Sequence, residues 1–191
     1  MLRGFLVIQL FGQTFDMVSF AIVVVLVFLA ILLAKRRCKK QESWRHRRYR
    51  KKAVDIYERL RSRNLNSGQI IVYLRKINPY VFEELVLHSF HNIGYKVVRN
   101  ERYSGDGGVD GKVYKDGAAY LIQCKRYKSY ISQEHLLEFY RICRESESRG
   151  YFVHTGKTGR GAKARVKGVA GIRIISGLRL VDLINGTIDL S

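Results

Sequence analysis

Eighteen consecutive residues, Met17 to Ala34, carry no charge, and eleven of the next eighteen are Lys or Arg. No other feature restricts the architecture so strongly. A continuous Val/Leu/Ile run is not the pattern of a surface helix, whose apolar stripe covers one side only. It approaches the roughly 20 apolar residues that a helix needs to cross a bilayer. A cleaved signal peptide is one rival, but the run is long for that. Its N-terminal flank holds only Arg3, and no small-x-small site precedes the charges. Continuous apolar content with no polar face also argues against a buried helix of an ordinary domain. Residues 1–34 are therefore predicted to be a transmembrane anchor.

The basic run after Ala34 orients that anchor. Lys35, Arg36, Arg37, Lys39 and Lys40 should stay on the cytoplasmic side, leaving the short N-terminus outside. Residues 35–52 pair eleven cations with one acid, Glu42, and so supply more than half of the formal +19 of the chain. A polyanionic partner is implied, either acidic lipid or nucleic acid. Beside a membrane, attraction to anionic lipids is worth about 1 kcal/mol per cation. The three cysteines, Cys38, Cys124 and Cys143, have no zinc-ligand spacing and read as reduced thiols.

Beyond the basic run, residues 53–77 suggest two helical pieces broken near Asn64–Gly68, the second capped at Ser67 or Asn66. With 35–52 they read as a linker, 35–78. Pro79 suits the first turn of a new helix, and a domain 79–191 is predicted from there. Its elements read as helix 79–92, strand 95–99, a glycine-rich turn 104–108 and strand 109–114. Lys115-Asp116-Gly117 is a hairpin signal before strand 119–125. Helix 132–147, strand 150–154, helix 159–168, strand 172–175 and helix 178–185 follow. This αβββαβ order implies an α/β fold, a mixed central sheet with helices on both faces.

The chemistry concentrates in two places. Asp110 ends the run Gly105-Asp106-Gly107-Gly108-Val109-Asp110, and Gln123-Cys124-Lys125 follows thirteen residues later. Alternate residues of a strand share a face, so Gln123 and Lys125 point one way and Cys124 the other. Asp110, the Gln123 amide and the Cys124 carbonyl are hard oxygen ligands of the kind magnesium takes. Lys125 can bind phosphate or polarise water. The layout suits metal-assisted phosphodiester hydrolysis. The plain alternative is that Asp106 and Asp110 cap glycine turns and that Lys125, Arg126 and Lys128 form a solvated strand end.

These residues and their neighbours resemble the Mrr-type restriction endonuclease domain of the PD-(D/E)xK nuclease superfamily. The matching stretches are Phe82-Glu83-Glu84-Leu85, Gly94-Tyr95-Lys96-Val97, Gly105–Gly111, Gln123-Cys124-Lys125-Arg126-Tyr127 and Gly150-Tyr151-Phe152-Val153. The resemblance runs from about residue 80 to 185. It implies a restriction-endonuclease-like αβββαβ core and DNA cleavage dependent on Mg²⁺ or Mn²⁺. Asp110 then stands as the metal-binding aspartate and Lys125 as the catalytic lysine. Gln123 takes the place of the superfamily acid. Glu83 corresponds to the first-helix glutamate that assists metal or water, with Glu84 as competitor. His154-Thr155 replaces the Thr-Thr pair usual in the family.

A second basic cluster, Lys157, Arg160, Lys163, Arg165 and Lys167, contains no acid, and Arg160, Lys163 and Lys167 share a helical face. With Arg126, Lys157, Arg160, Lys163 and Lys167 are the expected DNA contacts; an ordinary exposed helix is the alternative. The leading expectation is a single-pass bacterial inner-membrane protein with a cytoplasmic DNA endonuclease domain. It would act in restriction or mobile-element defence and work as a homodimer, since cutting both strands needs two sites. A binding module that tethers DNA to the membrane without cutting is the second reading. A scaffold driven by lipid contact at 35–52 is the third.

Overall fold

The computed structural model describes residues 2–63, 65–100, 108–167 and 171–190; within the helices, side chains of 2–19, 34–43 and 165–167 are outside the description. The chain divides into two units, residues 1–45 and 46–191. From Leu2 on the first is helical, as part of α1 (Leu2–Ser62). From Phe20, 70% exposed, to Leu33, 49% exposed, its apolar side chains are uncovered. Among the described residues no helix is long and apolar enough to cross a membrane. The transmembrane expectation is therefore not supported. Both ends of the predicted span, 17–19 and 34, lie among side chains outside the description.

In the second unit five strands form one mixed sheet in the order β1-β2-β3-β4-β5. They are β1 (Lys96–Arg99), β2 (Gly111–Lys115), β3 (Ala118–Lys125), β4 (Arg149–His154) and β5 (Ile172–Ser176). The first three pair antiparallel and the last three parallel. The β2–β3 turn is Asp116-Gly117, both at positive φ (51° and 77°), the left-handed pair that a two-residue hairpin requires.

Alternation along β4 explains the two cores. Tyr151 and Val153 face one side of the sheet and Phe152 the other. On the first side lie α2 (Ser67–Leu74), α3 (Pro79–Asn92) and α6 (Leu178–Asn185); on the second lie α4 (Gln133–Glu145) and α5 (Arg160–Lys167). On α3, Phe82, Leu85, Val86 and Phe90 are all buried, at the helical spacing that puts them on one face. Pro79 opens that helix behind the Asn78 cap, and Asn66 with Gln69 forms a capping box on α2.

The predicted boundary at Pro79 needs correction. Ala53, Ile56, Tyr57 and Leu60 of α1, and Ile70 and Leu74 of α2, are buried in the same core as α3. Residues 53–78 are thus core and not linker. Burying six such side chains removes enough apolar surface to be indispensable, at ~1.5–3 kcal/mol for each large one.

Candidate active site

The hairpin sets the geometry. Gly111 pairs with Ile122, and the Asp110 amide donates to the Ile122 carbonyl at 2.8 Å. Asp110 therefore enters the sheet beside Gln123. Its Oδ2 accepts from the Cys124 backbone amide at 2.6 Å, which pins the carboxylate against β3. The Gln123 Nε2 donates to the Gly108 carbonyl at 2.6 Å. That hydrogen bond fixes the amide, since the reverse orientation would oppose two oxygens. Gly108 has φ +86°, and a Cβ there would lie 2.7 Å from the Gln123 nitrogen. Only glycine both adopts this backbone and admits the amide. Residues 101–107, including Asp106 and most of the glycine-rich turn, lie outside the described residues.

With its nitrogen engaged, the buried Gln123 Oε1 has no hydrogen-bond partner among the described residues. A buried, unsatisfied acceptor costs about 1–3 kcal/mol unless something meets it. The two carboxylates point to the same conclusion. Burial pushes Asp110 up to about 6, partly offset by the Cys124 amide and by Lys125. Burial, then the charges of Asp110 and Glu84, push Glu83 up to about 8, against Lys125 and Arg126. A divalent cation would relieve both groups and satisfy the amide oxygen. Among the described residues no three His, Cys, Asp or Glu form a metal cluster. The oxygen set available is two carboxylates and an amide, with waters, which fits a hard ion such as magnesium and not zinc.

The remaining sequence candidates separate. Glu84 is buried and ion-paired to Arg99 at 2.8 Å, which gives it a structural role that Glu83 does not share. The Cys124 thiol lies in the core on the α3 side, its pKa pushed well up by burial, so only its backbone carbonyl is available to a ligand. Lys125 ends β3 half-buried, within electrostatic reach of both carboxylates. In Arg126 one guanidinium nitrogen, Nη1, donates to the carbonyls of Arg75 and Ile77, closing the C-terminal end of α2 and giving the residue a structural role. Lys157, Arg160 and Lys163 are exposed; the Lys167 side chain lies outside the described residues.

Sequence reading missed how the strand ends are tied together. Arg75 donates twice to the Thr155 carbonyl, at 2.9 and 2.8 Å. Thr155 Oγ1 donates to the Tyr127 carbonyl and accepts from its amide. His154 is buried, its Nδ1 accepting from the Gly156 amide and its Nε2 meeting the Thr158 hydroxyl. An i, i+2 polar pair gives no sequence signal for such a network. Burial lowers the His154 pKa to about 4 from 6.5. The unfolded imidazole binds its proton first, so stability is complete above about pH 6.5 and is lost as pH falls toward 4. The loss is about 3 kcal/mol at most. Urea midpoints at pH 7 and pH 4.5 should show a smaller acid loss for His154→Gln than for wild type.

The restriction endonuclease family of Mrr catalytic type matches residues 74–184. The type IV methyl-directed restriction enzyme EcoKMrr of Escherichia coli (strain K12) is 28% identical over 129 residues, 63% of this chain and 42% of that protein. This chain therefore spans less than half of that relative. Among solved structures, restriction endonuclease FokI overlaps 72% of this chain and 31% of its own at 14% identity, TM-score 0.47. Protein VC1899 from Vibrio cholerae overlaps 58% and 32% at 15% identity, TM-score 0.42. The match of the family over more than half the chain decides the matter: this protein belongs to the Mrr-type restriction endonuclease family.

Proposed function

We propose that the protein is a membrane-anchored endonuclease that hydrolyses DNA phosphodiester bonds with Mg²⁺ or Mn²⁺, in restriction or mobile-element defence. The observation that carries this is that, among the described residues, the buried Gln123 Oε1 has no hydrogen-bond partner, while the next residue of the strand, Cys124, holds the half-buried Asp110 carboxylate. Asp110 and Gln123 would hold the cation, with the Cys124 carbonyl as a further oxygen. The ion supplies charge neutralisation at the scissile phosphate and a more acidic water. Lys125 binds a phosphate oxygen and stabilises charge as it develops there. Glu83, the more basic carboxylate, accepts the proton of the attacking water. Asp110 stays anionic because the Cys124 amide and Lys125 favour that form.

Lys157, Arg160 and Lys163 bind phosphates, and two copies act together to cut both strands. Removing one phosphate-binding cation should reduce the slope of log K against log salt by about 0.9. Filter binding across a salt series should therefore show shallower slopes for Lys157→Ala and Arg160→Ala. Arg126→Met should instead lower stability and leave the slope unchanged.

The anchor reading rests on the uncharged run 17–34, the exposed apolar side chains from Phe20 to Leu33, and the basic residues that follow. It puts the N-terminus outside a bacterial inner membrane, the nuclease domain in the cytoplasm, and residues 35–52 on anionic lipids. Fractionation of the chain with and without residues 1–34 tests it; recovery of the intact chain in the supernatant would refute it. Plasmid incubation with Mg²⁺ tests the enzyme reading. Salt-dependent binding without cleavage under any divalent metal would make the protein a DNA tether.

A further inference from the structure

The end of the sheet that carries Lys125 also carries a rigid shelf with an uncovered aromatic ring. Beyond β3 the chain 126–131 runs on beside 155–157. The Thr155 amide donates to the Lys125 carbonyl, the Lys157 amide to the Ser129 carbonyl, and the Ile131 amide to the Lys157 carbonyl. Tyr130 and Lys157 form a parallel bridge. Gly156 locks the two segments: a Cβ there would lie 2.5 Å from the Ser129 carbonyl oxygen and 2.6 Å from the Tyr127 Cβ. The backbone under Tyr130 is held by these pairings and is not a loose loop.

On this shelf Tyr130 is 64% exposed. The Lys157 ammonium sits 5.9 Å from its ring centroid. Gly159 places no side chain beside the ring, where even a Cβ would reach 3.6 Å from it. Segments 127–131 and 155–163 contain four cations, Lys128, Lys157, Arg160 and Lys163, and no acid. An exposed aromatic ring flanked by cations on fixed backbone is the combination that holds unstacked bases, the ring stacking and the cations tracking phosphate.

We infer that Tyr130 is a specificity-determining residue that stacks on an unpaired DNA base next to the cleavage site. This rests on the nuclease reading above and extends it to the substrate, DNA with a locally unstacked base. One face of the ring is supported by Lys157 and the other takes the base. Duplex without such a base would be held through its phosphates alone. The preference for distorted DNA would then reside in one side chain that neither binds the cation nor touches the scissile phosphate.

The test uses the full chain, with Ca²⁺ in place of Mg²⁺ so that labelled probes are bound and not cut. Three probes are compared: a paired duplex, the same duplex with one bulged base, and the single strand. Wild type should bind the bulged probe more tightly than the paired one. Tyr130→Ala should lower affinity for the bulged and single-stranded probes about tenfold, the scale of losing one stacked base. Its affinity for paired duplex should not change, and Tyr130→Phe should match wild type. Equal affinity of wild type for bulged and paired probes overturns the inference. So does equal loss on all three probes, or a Tyr130→Phe variant as weak as Tyr130→Ala. Plasmid cleavage that still depends on Lys125 would leave the nuclease reading standing in each of those cases.

Discussion

Lys125→Ala should lower the rate of metal-dependent plasmid cleavage about 10²–10³-fold while leaving the fold intact, the usual loss when one preorganised charge-stabilising donor is removed. Lys125 is half-buried at the end of β3. Its removal therefore costs little packing. It also removes the cation that opposes the raised pKa of both Glu83 and Asp110, so carboxylate ionisation would shift to higher pH. Lys125→Arg keeps the charge with a larger, planar head group and should recover part of the rate. Initial rates on supercoiled plasmid, beside a thermal melt of each variant, separate catalysis from folding. Equal rates for wild type and Lys125→Ala would remove the lysine from the mechanism.

The adjacent glutamates of α3 should respond in opposite directions. Glu84 is 3% exposed and balanced by Arg99, itself 22% exposed. Arg99→Met leaves the buried carboxylate without that cation and should destabilise the protein by about 3 kcal/mol, the lower end for a broken buried pair given the partial exposure of Arg99. Glu83 behaves differently. Its folded pKa is raised to about 8, so the folded state binds the proton more tightly than the unfolded state does. Metal-free stability from this group is thus greatest below about pH 4.5 and declines as pH rises through 8. Glu83→Gln removes that decline and should raise the metal-free urea midpoint at pH 8, while cleavage is lost. Stability gained at the expense of activity is expected where a site holds charges close together. If both variants melt lower than wild type at pH 8, the roles assigned to the two glutamates are wrong.

Much of the domain could be read from the sequence because its signals were local. Phe82, Leu85, Val86 and Phe90 repeat at helical spacing, and Asp116-Gly117 announces its own turn. The placement of Asp110 against the end of β3 follows from that turn once the strands on either side are in register. What was not legible depended on distant partners. Residues 53–77 read as helical from their sequence, but the cationic run before them hid that Ile56, Tyr57 and Leu60 belong to the α3 core. Glu83 and Glu84 are identical in sequence terms; only Arg99, fifteen residues beyond Glu84, distinguishes them. Arg126 adjoins Lys125 and shares its charge, yet carbonyls of Arg75 and Ile77 some fifty residues earlier claim it. Tyr130 gave no sequence signal because its exposure depends on the 155–157 segment beside it.

The central claim is that Asp110 and Gln123 share one hard cation. Titrating Mn²⁺ into the full chain, followed by electron paramagnetic resonance of the free ion, measures this without DNA. Wild type should take up one tightly held ion per chain. Asp110→Asn and Gln123→Leu should each lose that uptake, the second although it removes no charge. Unchanged Mn²⁺ uptake in both variants would contradict the account.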